Sequence, residues 1–218
     1  FHSEIPLSGK NHTLLKKECQ FPNAQRGRGT SRGVRRIYMD EFIRNGGFLV
    51  EKRDKHIESV KAFVSPEPYP PIVVAGKNRL YAGLMHMNMC AAHSELTALM
   101  QYLYQSWVMN ANHAEAAQDL QRIAMVEMHH LNIFAQLVQQ LGGDPVYAVS
   151  FRRRRRVWDG TMVSPCKNFF HMMQNTLLAE QETIDRYRRQ AAMVQDASLA
   201  AALLRIVEDE KVHVKIFR

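Results

Sequence analysis

The chain has 218 residues, 46% of them hydrophobic, which supports one packed domain and excludes global disorder. Its net charge of +8 is unevenly spread: residues 1–64 hold 13 Lys and Arg against 7 Asp and Glu, and the arginines at 152–156 add five more positives. No apolar run reaches the ~18 residues of a membrane span, and the start of the chain has no apolar signal core. The cysteines, Cys19, Cys90 and Cys166, are too scattered for a Cys-x-x-Cys metal knuckle, so a reducing, cytoplasmic setting is expected.

In chain order, residues 1–71 read as a basic extension and linker. The stretch from Arg26 to Arg36 is rich in Gly and Arg and lacks hydrophobic periodicity, the composition of a loop or disordered segment. A more ordinary stretch begins at Met39, so residues 1–38 are expected to be a leader or an upstream extension. The run Ser-Pro-Glu-Pro-Tyr-Pro-Pro at 65–71 is a rigid, extended linker, because proline blocks both helix and central strand.

Residues 72–218 read as four helices. Helix A is expected over 79–110. Helix B spans 113–141, opening on an Asn112-x-x-Glu115 capping pattern and closing at Gly142-Gly143-Asp144-Pro145. A connection at 142–165 leads to helix C over 166–195, and helix D starts after Asp196 or Ser198. The short A/B and C/D turns make antiparallel hairpins. The long connection can reach ~79 Å, enough to run end to end and leave B and C parallel. Helix D has five residues after His213, whereas 11 separate His130 from Gly142, so the chain is expected to continue past Arg218.

The helices carry a duplicated motif. Glu127-Met-His-His130 and Glu210-Lys-Val-His213 each place Glu and His three residues apart, inside the longer pattern Ile-x3-Glu-x2-His-x2-Ile-Phe. Positions i and i+3 share a helix face, so each copy aims a carboxylate and an imidazole at one point. Glu95 precedes Glu127 by 32 residues and Glu180 precedes Glu210 by 30; each is followed seven residues on by a tyrosine, Tyr102 or Tyr187. Both half-chains therefore read Glu, Tyr, Glu-x-x-His.

Six metal ligands follow: Glu95, Glu127, His130, Glu180, Glu210 and His213. By symmetry, Glu127 and Glu210 bridge two ions and are the catalytic carboxylates; Glu95 with His130 holds one ion, Glu180 with His213 the other. Four carboxylates match the charge of two divalent cations, and carboxylate with imidazole suits iron or manganese. Each tyrosine lies two turns, ~10 Å, from the Glu on its own helix, so its hydroxyl is expected to reach a carboxylate on a neighbouring helix. Asp209 is placed to orient an imidazole from outside. Its counterpart in helix B is Val126, which makes that support one-sided.

Other polar residues have plainer readings. Glu182 and Glu208 point elsewhere and read as surface charges; His129 lies ~100° round the helix from His130 and reads as packing or surface. His86, His93, His113 and His171 lack a partner at ligand spacing, and Met85, Met87 and Met89 read as core filler. Arg152, Arg153, Arg154, Arg155 and Arg156 read as a solvated crossover face; with the N-terminal tail they could dock nucleic acid or an acidic partner.

The order Glu, Glu-x-x-His, Glu, Glu-x-x-His over about residues 79–218 resembles the ferritin-like superfamily of di-iron and di-manganese carboxylate proteins, and is similar to bacterioferritin, rubrerythrin and manganese catalase. The resemblance implies an all-α ferritin-like four-helix bundle with a long B–C crossover, two Fe or Mn ions, hydrogen peroxide or dioxygen as substrate, and a homo-oligomer. Rubrerythrins carry a further carboxylate where this chain has Thr183, and no rubredoxin cysteines are present, which disfavours a peroxidase with its own electron relay. The expected activity is decomposition or reduction of peroxide, catalase- or peroxidase-like. The alternatives are a ferroxidase or iron-handling protein, and a basic interaction module with a structural metal site.

Overall fold

The computed structural model describes residues 60–151 and 154–218. The Gly/Arg stretch, Cys19, Arg152 and Arg153 lie outside the described residues. The helices are α1 (Arg79–Cys90), α2 (Glu95–Met109), α3 (Ala114–Gln140), α4 (Phe169–Met193) and α5 (Ala197–Ile216). A hairpin of β1 (Ala148–Phe151) and β2 (Arg154–Val157) lies between α3 and α4.

The single helix expected over 79–110 is two helices. Ala91 and Ser94 are extended, and their neighbours' side chains take up the backbone groups that the break exposes. Ser94 Oγ accepts from Thr97 N at 3.3 Å, and Thr97 Oγ1 donates to Ala91 O at 3.0 Å. The break puts Glu95 in the first turn of α2, where the helix dipole favours a carboxylate.

The capping pattern expected at Asn112 does not form. His113 occupies the cap position without a side-chain bond, and the N–H groups of both Asn112 and His113 donate to Met109 O, which closes the tight α2–α3 turn. At the other end of α3 the glycines act as read: Gly142 has φ +89°, and a Cβ on Gly143 would stand 2.8 Å from Val138 Cγ1. Asn168 caps α4 through His171 N, and Asp196 caps α5 through Ser198 N and Leu199 N.

Side-chain bonds fix the helix directions. Gln105 pairs with Thr176, Tyr102 with Glu180, Tyr187 with Glu95, and Asn88 with Gln190. Descending numbers on α2 and α1 meet ascending numbers on α4, so α4 runs against them. The α2–α3 turn makes α3 antiparallel to α2 as well. Hence α3 and α4 are parallel, and the connection between them crosses the length of the bundle: this is the ferritin-like topology.

That connection is not plain coil. Its two strands pair antiparallel, Ala148 opposite Val157 and Ser150 opposite Arg155. Val149 is buried, and Trp158 Nε1 donates to Thr97 Oγ1 at 2.9 Å. Arg155 and Arg156 are exposed, on strand β2.

Two apolar clusters hold the bundle together. One contains Met85, Phe134, Leu137, Leu199 and Leu203; the other Met109, Leu120, Ile123 and Met172. Each fully buried side chain of this kind contributes about 1.5–3 kcal/mol. In sequence Glu127-x-x-His130 lies between contributions to the two clusters, after Ile123 and Ala124 and before Ile133 and Phe134. Among the described residues no helix is long and apolar enough to cross a membrane.

Candidate metal centre

All six residues of the duplicated pattern are buried, none more than 3% exposed, and they form one layer across the bundle. His130 Nδ1 lies 3.1 Å from Glu127 Oε2, 3.3 Å from Glu210 Oε1 and 3.7 Å from Glu95 Oε2. His213 Nδ1 lies 3.0 Å from Glu210 Oε2, 3.1 Å from Glu127 Oε1 and 3.8 Å from Glu180 Oε1. The arrangement is symmetric: each imidazole faces its own Glu, the other repeat's Glu, and one carboxylate from α2 or α4. Glu95, Glu127, His130 and Glu210 form one four-residue group, and Glu127, Glu180, Glu210 and His213 the second. Glu127 and Glu210 are common to both.

The far ring nitrogens are held from outside. His130 Nε2 is 3.1 Å from Asp209 Oδ2, and His213 Nε2 is 3.1 Å from the main-chain oxygen of Phe63. Both partners accept, so the Nε2 nitrogens carry hydrogen and donate, leaving Nδ1 toward the carboxylates. The expectation of one-sided support is corrected: Phe63 O does for His213 what Asp209 does for His130. Tyr102 donates to Glu180 and Tyr187 to Glu95, each across to a neighbouring helix.

Several residues around Asp209 were not anticipated. Tyr69 donates to Asp209 Oδ2 and also lies 3.1 Å from His130 Nε2. Ser65 N donates to Asp209 Oδ1 at 2.7 Å, and Arg205 Nη1 donates to the same oxygen at 2.6 Å. Arg205 also donates to Glu67 O and Ser65 O, and its guanidinium carbon sits 4.0 Å from the centre of the Tyr69 ring. The proline-rich segment is thus a strap tied to the back of the centre. Proline spacing showed that it is extended, and a tyrosine between prolines was the only hint of a contact.

The remaining assignments are structural. His129 is exposed, with its ring edge on Tyr69, Glu182 is exposed, and Glu208 pairs with Lys211 at 2.5 Å. His86 bonds Val146 O, His113 stacks on Phe169, and Met85 and Met89 fill the core while Met87 is exposed.

Burial and repulsion set the protonation of the layer. Burial, then the charge of Glu127, pushes Glu95 up to about 8, and burial with Glu210 holds Glu180 well above the usual carboxylate range. Burial would also raise Glu127 and Glu210, but His130 and His213 outweigh it and hold both below that range. Burial disfavours charge on the imidazoles too. The surrounding oxygens win: Tyr69 and Asp209 raise His130, and Glu127, Glu180 and Glu210 raise His213. Against its own burial, Asp209 is held at about 2 by His130, Tyr69 and Arg205.

A cavity of 210 Å³ reaches this layer between α2 and α4. Glu95, Glu127, Glu180 and Glu210 form its inner wall, and Ser164, Glu182 and Arg186 are among its other lining residues. His93 also lines it. A buried acidic layer with an adjoining cavity of this kind is a place where a small polar molecule can meet a cation held by the carboxylates.

Comparison with known proteins agrees with the topology. A family model described as Ferritin-like matches residues 89–155. The manganese catalase KatB from Anabaena superimposes with a TM-score of 0.61 at 19% identity, covering 70% of this chain and 76% of that one. Bacterioferritin BfrA from Mycobacterium tuberculosis superimposes with a TM-score of 0.54 at 21% identity, covering 65% and 84%. No curated protein matches the sequence. The fold is ferritin-like.

Proposed function

We propose that the chain is a dinuclear metal oxidoreductase acting on hydrogen peroxide, catalase- or peroxidase-like. The observation that carries this reading is the pair of overlapping four-residue groups that share Glu127 and Glu210 beside one cavity. The donor set fits a pair of divalent cations. Glu127 Oε1 and Glu210 Oε1 are buried without a hydrogen-bond partner, although an imidazole Nδ1 stands 3.1 and 3.3 Å away. Unpaired buried carboxylate oxygens cost about 1–3 kcal/mol each, and a cation between them removes that cost. Oxygen and imidazole donors without thiolate suit manganese or iron.

In this reading Glu95 and His130 would hold one ion and Glu180 and His213 the other, with Glu127 and Glu210 shared. Bound metal supplies a redox couple and polarises a substrate oxygen. The protein does the rest. Tyr102 and Tyr187 fix the outer carboxylates through their hydroxyls, and Asp209 and the Phe63 carbonyl fix the imidazoles. The cavity would deliver a peroxide-sized molecule to the carboxylate oxygens of its inner wall, beside the shared Glu127 and Glu210.

The likeness to KatB supports peroxide as the substrate. The likeness to bacterioferritin supports a second reading, a ferroxidase or iron-handling protein with the same ligands. The test is elemental analysis of natively purified full-length chain, followed by peroxide and Fe(II) assays. Two Mn or Fe per chain with oxygen evolved from peroxide, or peroxide consumed with a reductant, is the expected result. Metal-loaded protein inert to peroxide overturns it, and Fe(II) oxidation with retained mineral in a closed cage establishes the second reading instead.

A further inference from the structure

The cavity carries a cation that the six-ligand site does not use. Arg186 of α4 lines it together with Glu95 and Glu180. Its Nη2 donates to Thr183 Oγ1 at 3.0 Å, its guanidinium carbon lies 5.1 Å from the centre of the Tyr187 ring, and its Nε is buried without a partner. No carboxylate oxygen among the described residues lies within 4.0 Å of it, unlike Arg205 and Arg122, which are each paired. A guanidinium in this position has lost much of its water without gaining an ion pair. Thr183 and the Tyr187 ring hold it in place at the cavity wall.

Charge counting says what the guanidinium faces. Four carboxylates cancel two divalent ions, and both imidazoles are then neutral, so the loaded layer carries no net charge. The +1 of Arg186 then dominates the inner cavity, opposed only by Glu182, which lines the cavity but is exposed. The volume of 210 Å³ has room for a few molecules of water size.

We propose that Arg186 is a positioning residue that holds a small monovalent anion of hydroperoxide size in this cavity, next to the outer carboxylates Glu95 and Glu180. The inference rests on the dinuclear reading above and adds to it the charge state in which the substrate is held.

Azide is an inert monovalent probe of suitable size. Full-length chain loaded with Mn(II) is titrated with azide by calorimetry at low ionic strength, with metal content measured on every sample. Wild type binds azide; R186Q weakens binding about tenfold or more, the loss of a charge-assisted hydrogen bond, while R186K stays within about threefold of wild type. E182Q, an exposed change, tightens binding about twofold or more. Metal-replete R186Q that binds azide within twofold of wild type overturns the proposal. If R186Q fails to hold metal, E182Q decides: unchanged or weaker azide binding overturns it. Wild type that takes up no metal overturns the dinuclear reading itself, an outcome distinct from a metal-replete protein indifferent to Arg186.

Discussion

His213 donates its Nε2 hydrogen to the main-chain carbonyl of Phe63, 150 residues earlier in the chain. A carbonyl can only accept, so the bond fixes the tautomer and leaves Nδ1 facing Glu127, Glu180 and Glu210. The matching imidazole, His130, depends instead on a side chain. Asp209→Asn can present its amide to His130 and lose the charge, or present its oxygen and lose the charge all the same. Either way the His130 position weakens, by about 10- to 100-fold in metal affinity, as for other partners of ligand imidazoles. The His213 position keeps its carbonyl. Competition titration with a chelator is expected to resolve two unequal affinities in this variant.

Shared and unshared carboxylates predict different stoichiometries. Glu127 and Glu210 belong to both four-residue groups, whereas Glu95 and Glu180 each belong to one. Glu127→Gln or Glu210→Gln therefore weakens both positions and leaves well under one ion per chain. Glu95→Gln or Glu180→Gln weakens one and leaves close to one ion. Elemental analysis after desalting reads the difference directly; equal losses in all four variants would refute the shared arrangement.

The contrast between the six residues of the buried layer and their supports also explains what could be read from sequence. Glu95, Glu127, His130, Glu180, Glu210 and His213 repeat at helical spacing in both half-chains, so their convergence followed from periodicity. Tyr102 and Tyr187 were legible for the same reason. The Phe63 carbonyl was not, because a main-chain acceptor carries no residue signature. Tyr69 and Arg205 were missed because the strap and α5 are 138 to 144 residues apart where they touch. The helix break at Ala91 to Ser94 escaped notice because the apolar pattern runs through it, and only local Ser and Thr bonds reveal it. The β-hairpin hid under five arginines, a composition that describes solvation and not conformation.

Tyr102 and Tyr187 make a symmetric pair of predictions. Each hydroxyl is buried and donates to a buried carboxyl group across a helix interface. Tyr102→Phe and Tyr187→Phe each remove one such bond, costing about 1 kcal/mol, and leave Glu180 or Glu95 short of a partner. The thermal midpoint of metal-free protein is expected to fall by about 2–4 °C for each, while helix content stays unchanged by circular dichroism. A change below the scatter of wild-type replicates would show that these hydroxyls are satisfied elsewhere.

Arg205 joins Asp209 to the strap. The residue is 7% exposed, and its guanidinium bonds Asp209, Ser65 O and Glu67 O. Arg205→Met leaves the Asp209 carboxylate without its cation and two carbonyls without a donor, a loss of about 3–5 kcal/mol for breaking a buried pair from one side. Limited proteolysis is expected to cut within residues 65–71 faster in the variant than in wild type. Equal cutting rates would mean the strap is held by other contacts.

The protonation pattern predicts opposite pH trends for metal-free and metal-loaded protein. Without metal, Glu95 keeps its proton to about 8 against an ordinary value of 4.5, Glu180 is raised well above 4.5, and His130 and His213 are raised well above 6.5. Groups raised on folding add stability that is complete below their unfolded values and fades as pH climbs through the folded ones. The metal-free midpoint therefore drops between pH 6 and pH 9. On the acid side Glu127, Glu210 and Asp209 are lowered, Asp209 to about 2 from 3.8, so stability is lost again as pH falls through their folded values. Loading two divalent ions must expel the two carboxyl protons and the two imidazolium protons, so binding strengthens as pH rises. The gain in thermal midpoint on adding Mn(II) is thus expected to grow from pH 6 to pH 8.5, with protons released into a weakly buffered solution. A gain that is flat or shrinking across that range would contradict protonation of the empty layer.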